Sequence, residues 1–135
     1  KDSHLTLPKV NLTNKFLNNI DFYPFRSSPA KLAMTAHILY TKIDNKNVST
    51  FSKKIIKKII RKKIGFKGIL MSDDISMKAL KFSLTKNCTK ALDSGCNLIL
   101  HCNGNIKEMK LLSKVIPNID KFTRKKTAQF YKFLG

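Results

Sequence analysis

Three short apolar runs, KLAMTAHILY at 31–40, FKGILMSDD at 66–74 and GCNLILHCNG at 95–104, each give out into polar residues, and each precedes a stretch with apolar residues at helical spacing. Strand then helix, three times over, leaves few topologies. A strand that returns parallel to its predecessor in one sheet needs a crossover of a dozen or more residues, and a helix is the usual crossover. The expected class is therefore α/β, with parallel strands buried on both faces. In such folds chemistry gathers where strands end, because loops there hold polar groups over a rigid scaffold. Asp73 and Asp74 close the second run and are expected at that functional face. Capping of the following helix is the structural alternative for either carboxylate, and more so for Asp74.

The first helix is expected over 49–65, where Phe51, Ile55, Ile56, Ile59, Ile60 and Ile64 form one stripe, Ser49 or Thr50 caps the start and Gly65 ends it. The second strand is expected from about Lys67 to Ser72, and a helix core follows from about Thr85 to Leu92. A third helix covers 106–116 and is halted by Pro117, and a basic terminal helix runs from about Ile119 to Phe133.

With 135 residues, 42% of them apolar, the chain suits one domain over 1–135 with a core of its own. Its longest weakly polar stretch, AKLAMTAHILY, is about half of the roughly 20 residues that cross a bilayer, so no membrane partner is expected. Cys88, Cys96 and Cys102 are odd in number and lack CxxC spacing, which suggests reduced thiols and a cytoplasmic setting. The first residue is Lys1 rather than Met, so the chain is expected to be processed or cut from something longer.

The formal charge of +19 arises from 27 basic against 8 acidic residues. Such an excess suits a polyanion electrostatically. Only Arg26, Arg61 and Arg124 are arginines, whereas specific nucleic-acid sites favour the guanidinium fork. The lysines accompany many Asn and Ile residues and are densest in KKIIKKIIRKK, where they alternate with Ile as a solvated helix face would. Solvated faces are the preferred reading, and nucleic acid is not the expected partner.

Four stretches, in order, resemble the β-N-acetylglucosaminidases of glycoside hydrolase family 3. DSHLTLP (2–8) is similar to the family's catalytic loop, and DFYPFRSSPAKLAMTAHILY (21–40) to its sixth barrel strand with the lead-in. IIRKKIGFKGILMSDDISMKAL (59–80) resembles the helix and seventh strand that deliver the nucleophile, and ALDSGCNLILHCNGNIKEM (91–109) the eighth strand and its helix. The resemblance implies a partial (β/α)8 TIM barrel: the last three βα units, strands six to eight, plus the catalytic loop. The first five strands, with their sugar-binding contacts, precede the part that matches. Where the family usually has an acidic residue before the last strand's apolar run, this chain has Asn97.

By that resemblance Asp73 is the nucleophile of a retaining mechanism, His4 the acid/base and Asp2 the group that orients His4. Retention requires a covalent glycosyl intermediate and a proton donor across the ring, and an imidazole that titrates near neutrality suits the second task. His37 and Met77 are expected to line the substrate pocket, with core burial as the alternative for both. His101 beside Cys102 signals no metal by itself, and neither metal nor organic cofactor is expected. The implied substrate is the GlcNAc-anhydro-MurNAc muropeptide, or a related GlcNAc-containing glycan, of cell-wall recycling. The missing N-terminal half of the barrel is the implied protein partner. The chain alone is expected to be inactive and to expose apolar surface, and the rival reading is a noncatalytic remnant or a basic polyanion-binding fragment.

Overall fold

A computed structural model describes residues 6–26 and 28–134. Five parallel-paired strands and four α-helices alternate with one π-helix: β1 (Lys9–Val10), α1 (Asn14–Asn19), β2 (Leu32–Met34), β3 (Leu39–Tyr40), the π-helix Lys54–Ile64, β4 (Ile69–Asp74), α2 (Leu84–Ser94), β5 (Leu98–Leu100), α3 (Ile106–Ser113) and α4 (Lys121–Leu134). Strand order is β2-β4-β5 in one sheet and β1-β3 in the other. The fold class is α/β with parallel sheets, as the run-and-helix alternation predicts. The apolar run 31–40 does not form one strand: it divides into β2 and β3, which belong to different sheets.

The sheet has a closed side and an open one. Leu70 and the neighbouring Ala33 and Ile99 point to the helices, where they pack with Val48, Phe51, Ile56, Ala91 and Cys96. Period-two alternation sends Leu32, Met34, Met71 and Leu98 to the other side. The register sets Leu32 against Ile69, Met34 against Met71 and Met71 against Leu98. Met34 is 56% and Leu98 39% exposed, so this apolar face lacks the cover that the helices give the other. Burial on both faces, expected of all three strands, is therefore met by β4 in part and not by β5.

The helix expected over 49–65 is wider than an α-helix. A 3-10 turn occupies Ser49–Phe51, and the π-helix follows from Lys54, its entry capped by the Ser52 hydroxyl, which accepts from the Ile55 N–H. Ile55, Ile59, Ile60 and Ile64 recur every four or five residues, a spacing that suits the broader i→i+5 turn and keeps β-branched side chains from crowding. Ile56 enters the sheet-side core, while Ile59 joins Leu17 and Phe22 in a second cluster. Lys53, Lys54, Lys57, Lys58, Lys62 and Lys63 face solvent, as the lysine-isoleucine alternation predicts. Gly65 ends the helix at φ 80°, a left-handed conformation that favours glycine.

Three residues later the backbone of Gly68 passes so close to the Lys31 carbonyl that a β-carbon would collide with it. That contact lays the start of β4 against β2. Arg61 then fastens the junction by donating to the carbonyls of Phe66 (3.1 Å) and Gly68 (2.7 Å) and to Asn97 Oδ1 (2.7 Å). Its guanidinium lies over the rings of Phe66 and Phe122 at 5.2 and 5.6 Å. Asn97 Oδ1 also accepts from the Leu70 N–H, and its amide donates to Thr123 on α4. One side chain thus links the π-helix, two strands and the terminal helix. Nearby, burial pushes the Cys96 thiol up to about 12, which keeps it protonated.

Among the described residues Arg61 is half-buried with no carboxylate in ion-pair contact, and Asn97 stands where one would neutralise it. Asn97→Asp replaces a neutral acceptor by a charged one facing Arg61, at the cost of the bond that the Asn97 amide donates to the Thr123 hydroxyl. The expected result is a gain of about 1 kcal/mol, read as a higher denaturant midpoint at unchanged slope. A lower midpoint would show that burying the new charge outweighs the pairing.

Candidate active site

β4 carries the carboxylates, and its course beside β5 is irregular where they occur. Met71 pairs with Leu98 and Asp74 with Leu100, so β4 advances three residues while β5 advances two. The extra residue is a bulge, which bends a strand and re-aims its side chains. The Ser72 hydroxyl accepts the Leu100 N–H at 3.0 Å, and the Ile75 N–H reaches the Leu100 carbonyl at 3.0 Å. The strand therefore leaves the sheet with its hydrogen bonds still made.

Asp73 is half-buried at this exit. Its Oδ1 accepts the Asp74 N–H at 2.8 Å, and its own N–H donates to Thr35 Oγ1 at 3.3 Å. No described residue donates to Oδ2. One oxygen is therefore held by the backbone, and the other has no donor among the described residues.

Asp74 serves the turn instead. Its carboxylate accepts from the Ser76 N–H (2.9 Å), from the Ser76 hydroxyl at both oxygens (2.8 Å) and from the Cys102 N–H (3.3 Å). Burial acts to raise this carboxyl, but those hydrogen bonds and the nearby His101 outweigh it and hold the group below the usual carboxylate range. It caps no helix: Ser83 caps α2 through the Lys86 N–H. The capping alternative fails because the chain turns through 75–80 before α2 begins.

The two expected pocket-lining residues, His37 and Met77, are both buried. His37 has no exposed surface, and both ring nitrogens are occupied, Nδ1 with Thr50 Oγ1 at 2.8 Å and Nε2 with the Asp74 carbonyl at 2.9 Å. It bonds the Asp74 backbone carbonyl rather than either carboxylate, and Thr50 supplies the second polar partner that a buried imidazole needs. Met77 is buried in the turn after β4, at 8% exposure. Asp2 and His4 lie outside the described residues. Leu7, shortly after them, packs against the core cluster that contains Val48 and Phe51.

At the end of β5, Glu108 gathers the following loop. Its carboxylate accepts from His101 Nε2 at 2.7 Å and from the Asn103 amide at 2.8 Å. These bonds, the Asn103 one foremost, hold the Glu108 carboxyl below its ordinary range. Asn105 caps α3 by accepting from the N–H groups of Lys107 and Glu108. Sequence reasoning overlooked this loop, although the spacing of Asn105 and Glu108 is that of a capping box. Thr50, which bonds His37, and Thr35, which bonds Thr50, were also overlooked, since both read as ordinary members of apolar or capping stretches.

A concavity of about 780 Å³ opens at the opposite end of the sheet, beside Arg26, Lys31, Phe66 and Lys126. It contains no carboxylate, so concavity and candidate chemistry are separated among the described residues. Also among them, no three His, Cys, Asp or Glu side chains converge as a metal site would require.

The profile of the Glycosyl hydrolase family 3 N terminal domain matches residues 1–129. A beta-hexosaminidase of Shewanella frigidimarina is 34% identical over 119 residues, which cover 84% of this chain and 35% of that protein. Among solved structures, CbsA from Thermotoga neapolitana superposes with a TM-score of 0.77 at 34% identity, over 96% of this chain and 32% of that one. NagZ from Neisseria gonorrhoeae, in complex with N-trifluoroacetyl-D-glucosamine, gives a TM-score of 0.79 at 28% identity, over 93% of this chain and 37% of that one. The chain thus spans about a third of the length of the proteins it matches.

The Asp74 turn has a pH signature. A folded-state pKa below the unfolded value contributes stability above about pH 4, and that contribution is lost as pH falls through the folded value. Asp44, Glu108 and Asp120 are lowered too, so the chain is expected to lose stability from about pH 5 downward. Asp74→Asn, which removes one of the four, is expected to flatten the fall in denaturant midpoint between about pH 5 and 2 without abolishing it. An unchanged slope would contradict the turn-holding role.

Proposed function

The chain belongs to the glycosyl hydrolase family 3 N terminal domain family, and on that basis we propose that it is the nucleophile-bearing part of a retaining exo-β-N-acetylglucosaminidase. The single observation that carries the reading is Asp73, a carboxylate at the strand exit with Oδ1 held by the backbone and Oδ2 without a described donor. In this reading β2 with its extension, β4 and β5 are barrel strands six to eight, and the remaining strands close over the open face of Met34, Met71 and Leu98. The substrate is a GlcNAc-containing glycan, the muropeptide of cell-wall recycling, met in the cytoplasm.

The chemistry follows from the carboxylate's setting. Asp73 Oδ2 attacks the anomeric carbon while a proton passes to the leaving oxygen, and the glycosyl–Asp73 ester forms. Water then attacks the anomeric carbon and breaks that ester, giving a second inversion and net retention. His4 is the proposed donor in the first step and acceptor in the second, with Asp2 orienting its ring and favouring the imidazolium. Asp74 does not compete as nucleophile, because the Ser76 and Cys102 donors already occupy its oxygens.

The test compares two isosteric changes in a barrel completed with the remaining strands of a relative. On an aryl β-GlcNAc substrate, Asp73→Asn is expected to lower turnover by about 10³-fold or more, while Asp74→Asn, whose amide oxygen still accepts from Ser76 and Cys102, costs about tenfold or less. Equal losses, or a larger one at Asp74, would overturn the assignment.

A further inference from the structure

Four hydrogen bonds link five buried or half-buried groups in a chain that leaves the strand of Asp73 and returns to it. The Asp73 N–H donates to Thr35 Oγ1 (3.3 Å), Thr35 and Thr50 hydroxyls meet at 2.9 Å, Thr50 Oγ1 meets His37 Nδ1 at 2.8 Å, and His37 Nε2 meets the Asp74 carbonyl at 2.9 Å. Thr35 is 4% exposed, and Thr50 and His37 have no exposed surface. None of their polar atoms is among the buried ones left without a partner.

The direction of every bond follows from the two ends. The Asp74 carbonyl only accepts, so His37 Nε2 carries a proton. No carboxylate bonds this ring, and an unpaired buried imidazolium is costly, so the ring is neutral and Nδ1 is an acceptor. The Thr50 hydroxyl then donates to Nδ1. Its oxygen takes the Thr35 proton, and the Thr35 oxygen takes the Asp73 N–H. The contact of Thr50 with the Ala36 carbonyl, at 3.4 Å, is the weaker alternative for that hydroxyl.

We propose that Thr35, Thr50 and His37 form a one-way hydrogen-bond ring that fixes the tautomer of His37 and positions the Asp73 carboxylate. The ring grips the backbone on both sides of the 73–74 peptide, whose N–H lies between the grips and points at Asp73 Oδ1. Holding that N–H holds one carboxylate oxygen, and so determines where the other faces. The catalytic meaning rests on Asp73 being the nucleophile. The ring itself does not, since it stands on geometry alone. These three are positioning residues, because none touches a reactant.

The test is NMR on the chain itself, with no need for turnover. With ¹⁵N-labelled histidine at neutral pH, long-range correlations should show His37, identified by the loss of its signals in His37→Gln, as a single tautomer with the proton on Nε2. Thr50→Val, which touches neither aspartate, should shift the Asp73 and Asp74 amide resonances and the Asp73 carboxyl carbon, and Thr50→Ser should restore them. A proton on Nδ1, averaging between tautomers, or Thr50→Val effects confined to Thr35 and His37 would overturn the ring. If the ring passes and Asp73→Asn leaves turnover intact, the functional reading has failed and the ring has not.

Discussion

The one extra residue in β4 between Met71 and Asp74 is the constraint on which the site depends. In a regular ladder the strand would carry alternate side chains straight to its end. The bulge instead frees Ser72 to accept from Leu100, while the Asp73 N–H donates to the Thr35 hydroxyl just past β2 rather than to a backbone carbonyl. The Ser76 and Cys102 bonds of Asp74 then hold the chain on its new course. Adjacent carboxylates are held differently because the backbone between them is bent: one is tied into a turn, and the other has one oxygen without a donor among the described residues.

A chain with 27 bases and 8 acids could be expected to use its acids as counter-ions, and among the described residues none pairs with a lysine or arginine. Asp44 accepts from the Lys46 and Asn47 N–H groups and from Ser52, Asp74 holds its turn, and Asp120 accepts the Thr123 N–H at the start of α4. Among the described residues the one ion-pair contact is His101–Glu108, with no lysine involved. Surface lysine pairs contribute about 0–1 kcal/mol, whereas a charged acceptor on a loop's own N–H groups is worth about 1.5–3. Scarce carboxylates therefore sit where the backbone turns, and the lysines remain a solvated surface.

The fold class was legible because apolar runs and helical stripes impose different periods, and the C-terminal position of Asp73 followed from parallel topology. Gly65 was readable as a helix stop, since only its left-handed φ explains a glycine after Ile64. The π-turns were not readable, because Ile spacing of four also fits an α-helix. The division of 31–40 into two strands was hidden by an unbroken apolar composition, and the role of His37 was hidden for a related reason. Its partners Thr50 and the Asp74 carbonyl lie 13 and 37 residues away, and spacing along the chain carries no signal for such contacts. For Asp74, the Asp-x-Ser spacing to Ser76 was a turn signal that went unread.

Chemistry at the exit of β4 is most directly tested by trapping the covalent intermediate. A fluorinated β-GlcNAc donor that forms its glycosyl ester faster than water clears it would be incubated with the completed barrel, and the labelled peptides would be sequenced by mass spectrometry. The account predicts one glycosyl adduct, on the carboxylate of Asp73, absent from Asp73→Asn. An adduct on Asp74, or turnover with no adduct on either residue, would contradict it.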